Sequence, residues 1–219
     1  MAAARLGESR PDRRTAVIRL VRNREHVVEV IERGIRAACA SVWVATANLK
    51  DVHVESPIGT SARARGRYVS LFSELEQAAA RGLEVRILHA GPPSRALKAR
   101  IKPENTASIR RRRCPRVHLK MIAVDGSLLY LGSANFTGAG LGAKGENRRN
   151  FEAGIVTDDE WLLDEMQATF DAIWSGKHCG TCQLRSECEK PLDEVEKSMA
   201  LRSATEPTRV PKVRRKPRE

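Results

Sequence analysis

Apolar positions along the chain change several times between helical and strand-like spacing. Helical spacing predicts helices over four segments, at 24–38, 68–81, 95–101 and 158–175. Runs of β-branched and other apolar residues predict strands between them, at 41–46, 83–90, 117–124, 127–131 and 150–156. Strands that alternate with helices in this way are typical of a layered α/β fold.

The strands predicted at 117–124 and 127–131 are separated by Asp125-Gly126, a pair that favours a two-residue hairpin turn. Directly opposed residues of a hairpin share a face, and this register pairs His118 with Ser133. Four polar side chains are therefore expected on one face, at the end away from the turn: His118, Lys120, Ser133 and Asn135. Asp125 lies roughly 20 Å from that end at the rise of a strand, so we expect it to hold the turn.

These four side chains suit attack on a phosphodiester. A neutral imidazole such as that of His118 is a nucleophile, and the ammonium of Lys120 attracts phosphate oxygens. The Ser133 hydroxyl and the Asn135 amide would donate hydrogen bonds where negative charge builds up in the transition state. This chemistry needs no metal or other cofactor.

The residues from His118 to Asn135 follow the pattern H-x-K, four residues, D, six residues, G-S-x-N. This pattern resembles the motif of the phospholipase D superfamily, and residues 16–175 resemble the family in outline. The resemblance implies a mixed β-sheet flanked by helices and cleavage of a phosphodiester bond through a phosphohistidine. It also implies that a glutamate beyond the motif orients the histidine, and Glu152 is the matching residue.

The chain carries the motif once, because its other histidines lack a lysine two residues further on. We predict surface or strand-end positions for them: His26, His53, His89 and His178. The family reaction uses two histidines across one phosphate, so the resemblance implies a homodimer with two copies of His118 at a shared site. The chain is similar in this respect to small single-motif bacterial endonucleases of the superfamily.

The charge of the chain favours a polyanionic substrate. The formal net charge is +12, from 39 lysines and arginines against 27 acidic residues. A run of arginines immediately before the motif is predicted to bind phosphates: Arg110, Arg111, Arg112 and Arg113. A nuclease acting on DNA or RNA is the first hypothesis. A phospholipase or phosphatidyl transferase at a phospholipid surface and a non-catalytic nucleic-acid-binding module are the alternatives.

Composition divides the chain into four parts. We expect a flexible N-terminus over 1–15, a phospholipase D-like catalytic domain over 16–176, a cysteine-rich metal-binding segment over 177–190 and a basic, disordered tail over 191–219. The sequence contains no apolar run long enough for a transmembrane helix and no N-terminal apolar core of signal-peptide length. We therefore expect a cytoplasmic protein.

Three of the five cysteines form the pattern C-x2-C-x5-C at Cys179, Cys182 and Cys188. In a cytoplasmic chain such spacing indicates a metal site rather than disulfides. Cys114 is the first candidate for the fourth ligand and His178 the second. Four cysteines suit structural zinc or an iron–sulfur cluster, and the spacing resembles that of RecB-type iron–sulfur nucleases. The remaining cysteine, Cys39, is expected to be a small core residue.

Overall fold

Nine strands and four α-helices make up the computed structural model, which describes residues 15–101, 109–188 and 190–194. The strands are β1 (Ile18–Arg22), β2 (Ser41–Thr46), β3 (His53–Glu55), β4 (Tyr68–Ser70), β5 (Glu84–His89), β6 (Ile109–Arg113), β7 (Met121–Val124), β8 (Leu128–Gly132) and β9 (Ala153–Thr157). The helices are α1 (Ser61–Ala64), α2 (Leu71–Ala80), α3 (Arg95–Arg100) and α4 (Glu160–Trp174). Shorter helical segments are a π-helix at Val27–Glu32 and 3₁₀ turns at Ile35–Ala37, Glu146–Arg148 and Arg185–Glu187.

Seven of the strands form one mixed sheet in the order β1-β9-β8-β7-β2-β5-β6, and β3 pairs with β4 separately. The neighbours β2, β5 and β6 are parallel, and the other pairs of the large sheet are antiparallel. Near the end of β2, Ala45 pairs with both Leu88 of β5 and Met121 of β7. The carboxyl ends of β2, β5 and β6 therefore meet the amino end of β7 at one edge of the sheet.

Each face of the sheet packs against its own apolar cluster. On one face, the π-helix, α2 and α3 cover β2 and β5 through side chains such as Ile31, Leu75 and Leu97. On the other face, α4 packs Leu163, Phe170 and Trp174 against the sheet. The long helices begin at side-chain caps that satisfy free backbone N–H groups: Ser70 accepts from Ser73 N and Asp159 from Leu162 N.

The mixed sheet flanked by helices confirms the predicted fold class. Some elements differ from the expected ones. The helix expected over 24–38 is interrupted at Gly34, where an added Cβ would lie 2.5 Å from the Val30 carbonyl oxygen. The helix expected to begin at Tyr68 begins at Leu71, because Ser70 caps it and the three preceding residues pair with β3.

The expectation that Cys39 is a core residue is wrong, since Cys39 is exposed. Its backbone N–H donates to the Asp125 carboxylate in the β7–β8 turn. This hydrogen bond holds the residues before β2 at the surface.

Residues 1–14 of the predicted N-terminus over 1–15 and most of the basic tail over 191–219 lie outside the described residues. The first residues of that tail are packed, because Leu192 is 3% exposed and contacts the α4 cluster. No helix in the described part of the chain is long and apolar enough to cross a membrane.

Candidate active site

The β7–β8 hairpin places the motif at one edge of the sheet, but in a register different from the expected one. Val124 pairs with Leu128 and Met121 with Leu131, so the turn contains three residues rather than two. Ser127 N donates to Val124 O at 2.9 Å, and Asp125 and Gly126 adopt the left-handed conformation. The expected pairing of His118 with Ser133 is therefore wrong by one residue, because the third turn residue shifts every pair.

His118 and Lys120 lie in extended chain just before β7. Lys120 Nζ lies 3.1 Å from both ring nitrogens of His118 and donates to the His118 carbonyl at 2.9 Å. His118 is exposed, whereas the preceding Val117 is 3% exposed and packs in the α4 cluster. The buried valine fixes the backbone while the imidazole projects into solvent beside an ammonium group.

Ser133 and Glu152 form a second polar pair, between the end of β8 and the start of β9. Ser133 Oγ donates to the Glu152 carboxylate and accepts from Ala153 N at 3.1 Å. Asn150 Nδ2 donates to Glu152 Oε1 at 3.0 Å. The hydrogen bonds of this carboxylate within one chain go to Ser133 and Asn150 rather than to His118. Among the described residues no hydrogen bond joins Glu152 to His118, and the orienting role expected of Glu152 stays a prediction.

A buried hydrogen-bond network, which the sequence analysis missed, holds the backbone of Glu152. Asn23 Oδ1 accepts from Glu152 N at 3.0 Å, and Asn23 O lies 2.8 Å from His26 Nδ1. His26 Nε2 lies 3.0 Å from the Tyr130 hydroxyl, which accepts from Ala134 N at 3.3 Å. Burial lowers the pKa of His26 and raises the pKa of Tyr130 to about 12. The surface or strand-end position expected for His26 is wrong, because the ring fills a fully buried position between Asn23 and Tyr130.

Two glycines allow the strands to pass close to Tyr130. Gly132 pairs with Gly154 between β8 and β9. A Cβ added at Gly132 would lie 2.7 Å from the Ala153 carbonyl oxygen, and one added at Gly154 would lie 2.5 Å from Tyr130 Cε2. Real Cβ atoms do not approach so closely, so both positions require glycine.

Asn135 is held at the end of the central strand β2. Its side-chain oxygen accepts from Asn48 N at 3.0 Å and from Thr46 Oγ1 at 3.3 Å. Thr46 Oγ1 also accepts from Phe136 N at 2.9 Å, which fixes the chain on the far side of Asn135. Within the described residues the Asn135 amide nitrogen has no hydrogen-bond acceptor, and the role expected of Asn135 stays a prediction.

Asp125 lies in the hairpin turn at the opposite end of the hairpin from His118. Its carboxylate accepts three backbone hydrogen bonds, from Cys39, Ala40 and Ser41, at 2.7 to 2.8 Å. Burial acts to raise the pKa of Asp125, but the three N–H donors outweigh it and lower the pKa. The Asp125 carboxylate therefore joins the hairpin turn to the residues that lead into β2 by hydrogen bonds.

The arginine run from Arg110 to Arg113 forms β6, so its side chains alternate between two faces of the sheet. Arg110 pairs with Glu84, and Arg112 is buried with its guanidinium 4.5 Å from the Trp174 ring. Burial lowers the pKa of Arg111, and Arg113 Nε donates to Ala90 O at 3.0 Å. The strand therefore separates the four side chains, and Arg112 is buried while Arg110 and Arg113 are exposed. Phosphate binding by this run stays a prediction.

Four half-buried cysteines lie beyond β6 and α4, and two of them, Cys114 and Cys179, pack against the α4 cluster: Cys114, Cys179, Cys182 and Cys188. Burial raises the pKa of Cys114, the backbone hydrogen bond to Arg116 opposes this, and the other three thiols raise the pKa further. In the described part of the chain, no group of three or more histidines, cysteines or carboxylates is arranged to hold a metal ion. The metal predicted at these cysteines therefore stays a prediction.

Comparison with known proteins identifies the class. A family model described as "Cardiolipin synthase, PLD-like domain" matches residues 31–174, well over half of the chain. The chain therefore belongs to the PLD-like family, which confirms the resemblance to the phospholipase D superfamily. No curated protein matches the sequence significantly.

Two solved structures are similar to this chain at low sequence identity. The phospholipase D family member Nuc from Salmonella typhimurium is 19% identical with a TM-score of 0.50, over 74% of this chain and 95% of that chain. NucT from Helicobacter pylori is 15% identical with a TM-score of 0.48, over 72% of this chain and 94% of that chain. The similarity to Nuc agrees with the mixed α/β architecture.

Proposed function

We propose that this protein is a phosphodiesterase that hydrolyses DNA or RNA in an active site shared by two chains. The observation that carries the proposal is the exposed His118 imidazole with Lys120 Nζ 3.1 Å from both ring nitrogens. A nucleophile beside a fixed cation suits a phosphate, because the ammonium attracts the anionic oxygens to the attacking group. Asn135 and Ser133 lie beyond β8 at the same edge and supply neutral polar groups.

In the proposed reaction, a ring nitrogen of His118 attacks phosphorus and forms a phosphohistidine, while the bond to the leaving oxygen breaks. His118 of the partner subunit donates a proton to that oxygen. The same partner imidazole then takes a proton from water, whose oxygen attacks phosphorus and releases the first histidine. Lys120 balances the phosphate charge throughout, and no metal or other cofactor takes part in these steps.

A second chain is proposed because one motif supplies one histidine, and the surface beside the site suits a second copy. The edge strand β1 exposes Ile18 and Leu20, which are 63% and 59% exposed. Leu20 pairs with Ile155 of β9, and Ala153 of the same strand adjoins Ser133. Trp161, 60% exposed, lies at the start of α4 on the same face of the sheet. Exposed apolar side chains of this size often mark an interface between proteins.

Charge and a groove with an exposed tyrosine support nucleic acid as the substrate. The groove has a volume of about 360 Å³, and its lining includes Lys144, Tyr68 and two arginine–glutamate pairs, Arg24 with Glu55 and Arg149 with Glu146. Cationic side chains beside an exposed aromatic ring are typical of surfaces that bind single strands through phosphates and stacked bases. The net charge of +12 adds a long-range attraction for such a polyanion.

The cytoplasmic location expected from the sequence remains a prediction.

The proposed activity is tested with labelled single-stranded DNA, double-stranded DNA, RNA and phosphatidyl lipid vesicles, each incubated with the protein in EDTA. We expect cleavage of nucleic acid that His118→Ala lowers by more than about 10³-fold, as for loss of a catalytic nucleophile. His53→Ala, which removes another exposed histidine, is the control and should retain activity. Turnover of lipid alone, or full activity of His118→Ala, would contradict the proposal.

The shared site is tested by placing a charge in the exposed apolar patch. Leu20→Asp should convert the dimer to a monomer in analytical ultracentrifugation and abolish cleavage. Val28→Asp, at an exposed valine of the π-helix, is the matched control and should change neither property. A monomeric variant with full activity would show that one chain suffices.

A further inference from the structure

The segment that follows α4 has almost no apolar core of its own. From Lys177 to Cys188, all of which the structure describes, no residue is fully buried. The backbone nevertheless makes successive tight turns: Cys179 N donates to Gly176 O at 2.9 Å, Cys182 N to Cys179 O at 3.2 Å and Cys188 N to Arg185 O at 3.2 Å. Short segments without a core usually depend on a cross-link or a metal for their fold.

The chain beyond this segment is fixed to the domain. Leu192 is buried in the α4 cluster, and Arg185 forms ion pairs with Asp193 at 2.9 Å and Glu194 at 3.0 Å. The turns that carry the cysteines are thus closed at both ends, by α4 and by Leu192. The cysteines themselves occupy the middle of this closed loop.

Cys114 faces these turns from the other side. Its backbone N–H donates to His89 O at 3.0 Å directly after β6. Cys114, Cys179 and Cys182 line one cavity of about 490 Å³. Cys188 lines a neighbouring cavity with Pro115, and Leu192 borders both cavities. Three thiols from two distant parts of the sequence therefore share one cavity, and the fourth, Cys188, lies at the adjoining cavity.

We propose that Cys114, Cys179, Cys182 and Cys188 form a four-thiolate site that holds a zinc ion or an iron–sulfur cluster in a structural role. Both groups are bound by four cysteine thiolates, which lose their protons on binding. The thiols are free and not joined as disulfides. In the described part of the chain these thiols are not arranged as metal ligands. Binding therefore requires the four cysteine side chains to rotate toward one another.

Cys114 is a better fourth ligand than His178. Cys114 is half-buried between β6 and the turns, whereas His178 is exposed at the rim of the cavity. A site that includes Cys114 would link the C-terminal turns to the residues immediately before His118. Binding of the metal would then stabilise the extended chain that carries the nucleophile.

The test uses the full-length protein, expressed with added iron and zinc and purified without oxygen or chelators. Metal content, acid-labile sulfide and the visible spectrum are measured. About one zinc per chain without colour would identify a zinc site. Iron and sulfide in equal amounts with broad visible absorption would identify a cluster. Absence of both metals, also after reconstitution with each, would overturn the proposal.

Variants separate the four ligands from the fifth cysteine. Cys114→Ser and Cys182→Ser should lose most of the bound metal and melt at a lower temperature. Cys39→Ser, at the opposite end of the sheet, should retain the metal content of the wild type. His178→Ala should also retain it, and loss of metal in His178→Ala but not in Cys114→Ser would overturn the ligand assignment.

Thiol reactivity of the wild-type protein tests the same site without variants, which could fail to fold. A thiol reagent should modify the exposed Cys39 rapidly in the metal-loaded protein and leave the other four cysteines unmodified. Removal of the metal should make those four reactive. Equal reactivity with and without metal would contradict the proposed site.

Discussion

The two ends of the β7–β8 hairpin carry residues of one motif but are built in opposite ways. At the turn, the Asp125 carboxylate is surrounded by three backbone N–H donors within 2.8 Å. At the open end, His118 is exposed and its side-chain partner is the Lys120 ammonium. The comparison indicates that the motif combines a part that stabilises the fold with a part that remains exposed for chemistry.

The largest expected effect is on chemistry at the open end. Lys120→Ala removes the cation beside His118 and should lower turnover about 10²- to 10³-fold, in the range found for loss of one transition-state donor. The melting temperature should be almost unchanged, because the ammonium contacts only the exposed His118 residue among the described residues. Lys98→Ala, on the exposed face of α3, is the control. An equal loss in both variants would point to general charge effects instead.

A smaller effect, on stability, is expected at the turn. Asp125→Asn replaces one carboxylate oxygen by an amide donor, which leaves one of the three backbone N–H groups without its acceptor. Asparagine tolerates the left-handed conformation, so no backbone strain is added. Urea unfolding should show a loss of about 1–3 kcal/mol, with turnover per folded molecule unchanged. Asp164→Asn, on the exposed face of α4, should show neither change.

The smallest expected effect is the pH dependence of the stability difference between the wild type and Asp125→Asn. The folded-state pKa of Asp125 lies below its ordinary value, so the carboxylate stabilises the fold fully above roughly pH 4. This contribution is lost as the pH falls further, through the folded-state pKa. The stability difference between wild type and Asp125→Asn should therefore be constant from neutral pH to about pH 5 and shrink below pH 4. A difference that widens in acid would contradict the assigned interaction.

Long apolar patterns made the central part of the fold predictable. β2 and β5 are buried on both faces, and α4 buries one stripe, so each produced a clear pattern in the sequence. The spacing of the motif likewise made His118 and Lys120 candidates for the site, because chemistry fixes residue types at set intervals, and their roles stay predictions. The family match confirms the class to which these residues point.

Other features depend on contacts that local sequence does not encode. The arginines of β6 give no apolar alternation, and the buried Arg112 packs against Trp174, 62 residues away in the sequence. Asn23 supports Glu152 across 129 residues of sequence. The hairpin register depends on whether Ser127 belongs to the turn, and the Asp-Gly pair before it fits a two-residue or a three-residue turn.

The close passage of β8 and β9 over Tyr130 has a consequence for how this family changes during evolution. The glycine of the motif is required for space rather than for chemistry, because a side chain at Gly132 would collide with β9. Gly154, outside the motif, is under the same restriction through the same tyrosine. A smaller residue at 130 would not relieve either position, because backbone atoms of the opposite strand lie within 3.0 Å of each added Cβ, so relatives that keep this strand pairing should keep glycine at both.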